Sequence, residues 1–250
     1  MSSVDIVVPV YNEEQALALS IGQLRDFCLR ALDYEWSIVI ADNASTDGTG
    51  QIGQELAREL RDVRYLYLPQ KGRGRALKKA WLESAADIVC YMDVDLSTRL
   101  DALPRLLDAI AKEGYDLASG SRVARGSQTT RALKREVISR GYIALTKALF
   151  RNRFSDAQCG FKGASRRAVQ ALLPLTQDNA WFFDTELLLL AEMAGLRVKD
   201  IPVTWVDDPT STVRIWRTAW EDIEGLLRLR FRPPAALREV RRRLSKGELA

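Results

Sequence analysis

The sequence predicts an α/β protein with a mostly parallel central sheet flanked by helices. Three observations carry that reading. Apolar, β-branched runs of strand length recur through the first half, stretches with helical periodicity separate them, and polar clusters follow three of the runs. A buried parallel sheet asks for this alternation, because each crossover between parallel strands needs a connecting helix and the helices cover both faces.

In chain order, residues 4–10 read as a strand by their β-branched content. Residues 12–32 read as a helix, with Leu17, Ile21, Leu24 and Cys28 on one face. A second strand over 36–41 ends in the turn chemistry of DNASTDGT, and a helix follows over 49–60. Residues 63–68 are a third strand, 75–86 a helix, and 87–92 a fourth strand. The second half is less regular. It offers a short strand at 117–120, an amphipathic helix over 133–150, a largely buried helix over 183–194 and a strand over 198–206. The stretch RIWRTAWEDIEGLLRLRFRPP is helical up to its two prolines, with Trp216, Trp220, Ile223, Leu227 and Phe231 near one face. The last residues, ALREVRRRLSKGELA, form either a short basic helix or a frayed tail, so the expected division is one domain over 1–232 and a basic tail over 233–250.

Composition sets limits on the chemistry. With 250 residues, 47% of them hydrophobic, the chain can bury a sizeable core. Its longest uncharged apolar stretches fall far short of the roughly 18 residues of a membrane span, and the first eleven residues lack a secretory pattern. The expectation is a soluble or peripheral chain on the cytoplasmic face of a membrane. Three scattered cysteines in apolar contexts fit reduced packing residues rather than a disulfide framework. There is no histidine, which excludes an imidazole base and a His-ligated zinc. The net charge of +4 is unevenly placed: from residue 214 onward ten Lys/Arg face five Asp/Glu, so the remainder sums to −1. A basic end is either a solvated helix face or a surface for anionic lipid; it lacks the interleaved aromatics of a nucleic-acid binder.

In open α/β sheets ligands bind beyond the carboxyl ends of the strands. Three polar clusters, PVYNEE, ADNASTDGT and DVDLST, lie at such ends. In the last, Asp93 and Asp95 supply a carboxylate pair of the kind that holds Mg²⁺ or Mn²⁺, with Ser97 a third oxygen. Lys71-Gly-Arg-Gly-Arg is a glycine-relaxed basic loop just before a helix, suited to phosphate or, equally, to a solvated turn.

VVPVYNEE, ADNASTDGT, QKGRGRA, DVDLST, GSR at 120–122 and SDAQCGFKGAS, in that order, resemble the family 2 glycosyltransferases with the GT-A fold, and QCGFK and KREVISRG resemble their polyprenyl-phosphate sugar synthase branch. The resemblance implies a Rossmann-like sheet with C-terminal amphipathic helices, and an inverting transfer of a hexose from a nucleotide-sugar (a UDP-sugar such as UDP-glucose, or GDP-mannose) to polyprenyl phosphate. It implies that Pro9, Tyr11, Glu13, Asp42, Lys71, Gly72 and Arg214 contact the nucleotide, and that Asp93, Asp95 and Ser97 hold the metal. Arg122, Arg135 and Ser139 would hold the acceptor phosphate, and Asp156, Gln158, Asp184 and Glu186 would surround the sugar and the reaction centre. Three departures from the family pattern are Asn43, where a second acid is common, Ser97, where mannose synthases often have Gln, and WVDDPTSTVR around Arg214.

A phosphate monoester has a second pKa of about 6, so such an acceptor is already anionic and needs cations rather than a base. Its isoprenoid tail implies a membrane surface or a separate membrane-anchoring protein as partner. The competing readings are a family 2 transferase acting on a saccharide or protein hydroxyl, with Asp156 or Asp184 as base, and a non-catalytic nucleotide-binding module.

Overall fold

The computed structural model of the chain describes residues 2–130, 133–206 and 215–248, with no side-chain placement for 130, 133–135 and 215–217. The elements run β1 (Ser3–Val10), α1 (Leu17–Ala31), β2 (Glu35–Asn43), α2 (Thr49–Glu59), β3 (Val63–Leu68), α3 (Arg73–Glu83), β4 (Ile88–Met92), α4 (Leu103–Ala111) and β5 (Leu117–Ser121). After them come β6 (Gln128–Thr130), α5 (Leu133–Phe150), β7 (Phe161–Ser165), α6 (Arg166–Leu172), α7 (Phe183–Ala194), β8 (Val198–Pro202), β9 (Thr204–Val206), α8 (Ile215–Phe231) and α9 (Leu237–Ser245).

Seven strands form one sheet in the order β3-β2-β1-β4-β7-β5-β8, and β6 pairs with β9 in a small second sheet. All neighbours in the large sheet are parallel except β7, which runs antiparallel to both β4 and β5. The α/β expectation therefore holds, with one reversed strand that the sequence did not announce: FKGAS is short and carries a lysine and a glycine. That reversal matters for the site. Because Met92 lies opposite Phe161, the loop entering β7 is delivered to the carboxyl end of β4.

The core lies in two layers. On one face, α1 and α4 bury Leu17, Ile21, Leu24, Leu103, Leu106 and Leu107 against strand residues such as Ile6, Ile38 and Ile40. On the other, α3, α6, α7 and α9 cover Val7, Val39, Val89 and Tyr91. Trp81 anchors that second layer, its ring 6.1 Å from Tyr91 and 6.4 Å from Phe183. Each such side chain removed from water contributes about 1.5–3 kcal/mol before entropy is counted. From Phe183 to Ala191, α7 is buried on all sides, as its leucine run predicts.

Two C-terminal features become definite. The last helix, α9, is not a frayed tail: Leu237 and Leu244 are buried in the α7 layer and Val240 packs against it. In α8 the core-facing residues are Asp222, Gly225, Leu226 and Leu229, while Trp220, Leu227 and Phe231 are exposed. The aromatic stripe thus points outward, and Trp216 lies among the side chains outside the described residues.

Candidate active site

The carboxyl ends of β1, β2, β4 and β5, with the reversed loop into β7, meet on one rim. At the β1–β2 side the loops are laced by their own side chains. Asn12 Oδ1 accepts from the Thr46 amide at 2.8 Å, Glu14 Oε2 accepts from the Gly48 amide at 2.7 Å, and the Glu13 amide donates to Thr49 Oγ1 at 2.7 Å. Pro9 is buried in β1, and Tyr11 lies under Lys71, whose Nζ is 3.3 Å from the ring centroid. Asp42 is 1% exposed. Its carboxylate accepts from the Tyr65 hydroxyl at 2.6 Å and from the Ser45 amide at 2.9 Å, so it shapes the pocket wall. Asn43 has a stated job as well: its Oδ1 accepts from the Gly72 amide at 2.6 Å, tying the basic loop to β2.

The basic loop is not an open cradle of amides. Gly74 and Arg75 at the start of α3 donate their amides to Ala180 and Asn179 carbonyls at 3.2 and 3.1 Å. A Cβ at Gly72 would stand 2.6 Å from the Asn179 carbonyl oxygen, and one at Gly74 2.7 Å from Phe183 Cβ, so glycine at both positions serves close packing against the approach to α7. What the loop delivers instead is Arg73. Its Nη2 bonds Asp93 Oδ1 at 2.7 Å and its Nη1 bonds Asp184 Oδ2 at 2.7 Å. The guanidinium lies over Tyr91 and Trp181, 4.8 and 5.2 Å from the ring centroids. Burial alone would lower its pKa, but Asp93, Tyr91 and Asp184 beside it hold it well above the usual arginine value.

Asp93 and Asp95 leave β4 at the rim. The Asp93 amide donates to the Gly160 carbonyl at 3.2 Å, and a Cβ at Gly160 would lie 1.7 Å from Asp93 Oδ2, so glycine is what lets the carboxylate sit there. Asp95 is exposed and accepts from the Ser97 amide at 2.9 Å. Among the described residues, no group of three or more His, Cys, Asp or Glu side chains stands ready to hold a metal. Two hard carboxylates at an open edge do fit Mg²⁺ or Mn²⁺, which take one or two protein carboxylates and complete their shell with water and substrate phosphate.

On the opposite side Asp156 and Asp184 already have cationic partners. Arg122 Nε and Nη2 grip Asp156 at 2.7 and 2.9 Å, and the Arg122 amide adds a third bond at 3.1 Å. Burial opposes ionisation of Asp156, but Arg122 brings its pKa down to about 2. Arg122 is thus no unattached cation, and its guanidinium also lies 5.5 Å from the Trp205 ring centroid. Asp184 accepts from Arg73 and Tyr91 Oη and lies 3.4 Å from Lys162 Nζ; despite burial these neighbours lower its pKa. Lys162 itself is fully buried and donates to the Cys159 carbonyl at 2.6 Å.

Glu186, expected at the sugar, has partners within the protein. It is fully buried, accepts from the Gln177 and Asp178 amides at 2.9 and 2.7 Å, and pairs with Arg228 of α8 at 2.8 Å, so it braces the 176–179 turn. Gln158 donates Nε2 to Asp222 Oδ2 at 2.8 Å. Asp222 is 2% exposed, and burial pushes its pKa up to about 7. Ser139 is buried on α5. The Arg135 side chain and all of Arg214 lie outside the described residues.

Sequence reasoning missed Arg73, Tyr91, Lys162 and Asp222 as members of the site. A signal existed for two of them. Tyr91 and Asp93 are two residues apart and so share a strand face, and Lys162 sits in an otherwise apolar strand.

Comparison with known proteins places this rim in context. Residues 5–173 match the model of Glycosyl transferase family 2. Glycosyltransferase AglD of Haloferax volcanii is 37% identical over 207 residues, covering 81% of this chain and 33% of the relative. Dolichyl-phosphate beta-glucosyltransferase of Saccharomyces cerevisiae is 28% identical over 220 residues, covering 80% of this chain and 66% of the relative. The chain therefore spans a third of the first relative and just under two thirds of the second. Glucosyl-3-phosphoglycerate synthase of Mycobacterium tuberculosis, solved with Mn²⁺, UDP and glucosyl-3-phosphoglycerate, superposes with a TM-score of 0.69 at 17% identity, over 94% of this chain and 82% of that one. That likeness supports the same arrangement of sheet and helices.

Proposed function

This chain belongs to glycosyl transferase family 2, and from that premise we propose that it transfers a hexose from a nucleotide-sugar, UDP-glucose first and GDP-mannose second, to the phosphate of a polyprenyl phosphate. Similarity to a dolichyl-phosphate beta-glucosyltransferase supports a glucosyl group and a polyprenyl-phosphate acceptor. The observation that carries the acceptor is electrostatic. An alcohol acceptor needs a base with a pKa near the working pH, and Asp156 and Asp184 are both held ionised and weakly basic by buried cations. A phosphate acceptor needs none.

In this reading Asp93 and Asp95, with Ser97 beside them, would hold Mg²⁺ or Mn²⁺, and the ion when bound offsets charge on the departing nucleoside diphosphate. Lys71 and Tyr11 flank the nucleotide. Arg122, locked in place by Asp156, would hold the acceptor phosphate, with Ser139 of α5 and with Arg135, whose side chain lies outside the described residues, in the same role. Pinning a guanidinium on a carboxylate removes rotamer freedom before the acceptor arrives, so little is lost on binding. A screen of radiolabelled UDP- and GDP-sugars with a short polyprenyl phosphate, followed by organic extraction, tests this. The expected result is label in the organic phase from UDP-glucose; label only in water-soluble saccharide would refute it.

Asp222 favours a second reading. A carboxyl with pKa about 7, bonded to Gln158 beside the site, is the group best tuned to deprotonate a hydroxyl acceptor. The same screen with free sugars in place of the lipid separates the two.

The lipid would be met at a membrane surface. No described helix is long and apolar enough to cross a membrane. The exposed Trp220 and Phe231 (64% and 72%), together with Leu227, Arg228 and Arg230 on α8 and Arg232 just after it, form an amphipathic interface of the kind that lies on anionic lipid at a cytoplasmic face. Trp220→Ser with Phe231→Ser should lose most flotation with anionic liposomes; unchanged flotation would leave the anchoring to a separate protein.

A further inference from the structure

Arg73 occupies the side of Asp93 that an arriving ion would use. Asp93 Oδ2 stands against Gly160, where a Cβ would be 1.7 Å away, and Oδ1 is engaged by Arg73 at 2.7 Å. The two ends of the guanidinium are unequal. Asp184 is 6% exposed and shared with Tyr91 and Lys162, whereas the Asp93 side chain is 42% exposed. Letting go of Asp93 exposes a carboxylate to water, while letting go of Asp184 would strand buried charge. The Arg73, Lys162, Asp93 and Asp184 charges already sum to zero, so beside Asp95 a divalent ion arriving alone meets a carboxylate whose charge is offset and two nearby cations. A diphosphate brings the negative charge that can draw Arg73 away.

From this geometry we propose that Arg73 is a positioning residue that occupies Asp93 in the absence of substrate and hands it over only when a nucleoside diphosphate is bound, so that divalent-ion binding depends on the nucleotide. The inference rests on the nucleotide-sugar reading above and adds the order in which its parts assemble.

The test is a Mn²⁺ titration of the full chain followed by loss of the free-ion EPR signal, alone and with saturating UDP or GDP. The wild type should bind Mn²⁺ weakly alone and about tenfold or more tightly with UDP, within the ordinary range of coupling between sites. In Arg73→Met, Mn²⁺ alone should bind about tenfold more tightly than in the wild type, with the UDP effect reduced by the same factor. A merely damaged site would not gain affinity. Arg73→Lys, which keeps the charge but lacks the two-pronged fork, should fall between, and it carries the test if circular dichroism shows the methionine variant unfolded. Unchanged or weaker Mn²⁺ binding in the folded variants overturns the proposal. Failure of the wild type to bind UDP or GDP at all would instead overturn the nucleotide-sugar reading.

Discussion

The two sides of the rim are built differently. On the β1, β2 and β4 side, the groups offered to a ligand come from strand ends within the first hundred residues, and Asp93 and Asp95 keep contact with solvent. On the β5, β7 and α7 side, Arg122–Asp156, Arg73–Asp184, Glu186–Arg228 and Gln158–Asp222 join residues from 34 to 111 positions apart, and the acids are almost wholly buried. The first side is prepared for charge that arrives from outside. The second has its buried acids largely paired before anything binds, so its pairs fix the shape of the site and serve stability as much as chemistry. Substitutions on the first side should therefore remove activity and spare the fold, and those on the second should cost stability as well.

The largest expected effect is on the exposed side. Asp95→Ala should lower transfer by about 10³-fold or more even at saturating Mn²⁺, because charge building on the leaving group would lose its counter-ion. Its unfolding midpoint should stay within the small range of surface substitutions. Organic-phase label and thermal unfolding read the two quantities, and near-normal turnover would refute the role.

On the paired side, Asp156→Ala leaves Arg122 buried without a partner and should cost roughly 3–5 kcal/mol in chemical unfolding. Arg122→Met together with Asp156→Leu should recover part of that loss, because an apolar pair avoids desolvating two charges. A single substitution as mild as Asp95→Ala would erase the contrast between the two sides.

The same contrast explains what the sequence reveals. Asp93 and Asp95 are legible because a strand, its end and a D-x-D occupy consecutive positions, and the β-branched runs before them fix the sheet. The Arg73–Asp184 contact is not: 111 residues separate the partners, and no local pattern says that β7 reverses to bring the Gly160 loop under Asp93. The helix α4 also escapes a reading by strand and turn, although LPRLLDAIA carries apolar residues at helical spacing. Glu186 shows a second limit of local pattern. Two acids in the first turn of α7 look equivalent in sequence, yet Asp184 turns towards β4 and Glu186 towards α8, since residues two apart lie on different sides of a helix.

The smallest effect concerns Asp222. Burial holds its pKa at about 7, against 3.8 for an ordinary aspartate, with Asp178, Asp184 and Glu221 adding to the rise and the Gln158 amide opposing it. Between those two pH values the folded chain carries a proton that the unfolded chain has lost. The stabilising contribution is thus complete below about pH 4 and declines as pH rises through 7. Asp222→Asn keeps the shape and cannot ionise, so it should gain roughly 1–3 kcal/mol over the wild type at pH 8 and little at pH 4, each pKa unit being worth about 1.4 kcal/mol. Urea unfolding at the two pH values measures the difference. A variant whose advantage is the same at both would mean that Asp222 is ionised throughout, and the paired side would then carry one uncompensated charge. If the variant gains stability at pH 8 but loses lipid-linked product, Asp222 belongs to the chemistry as well, and the division between the two sides is less sharp than the buried pairs suggest.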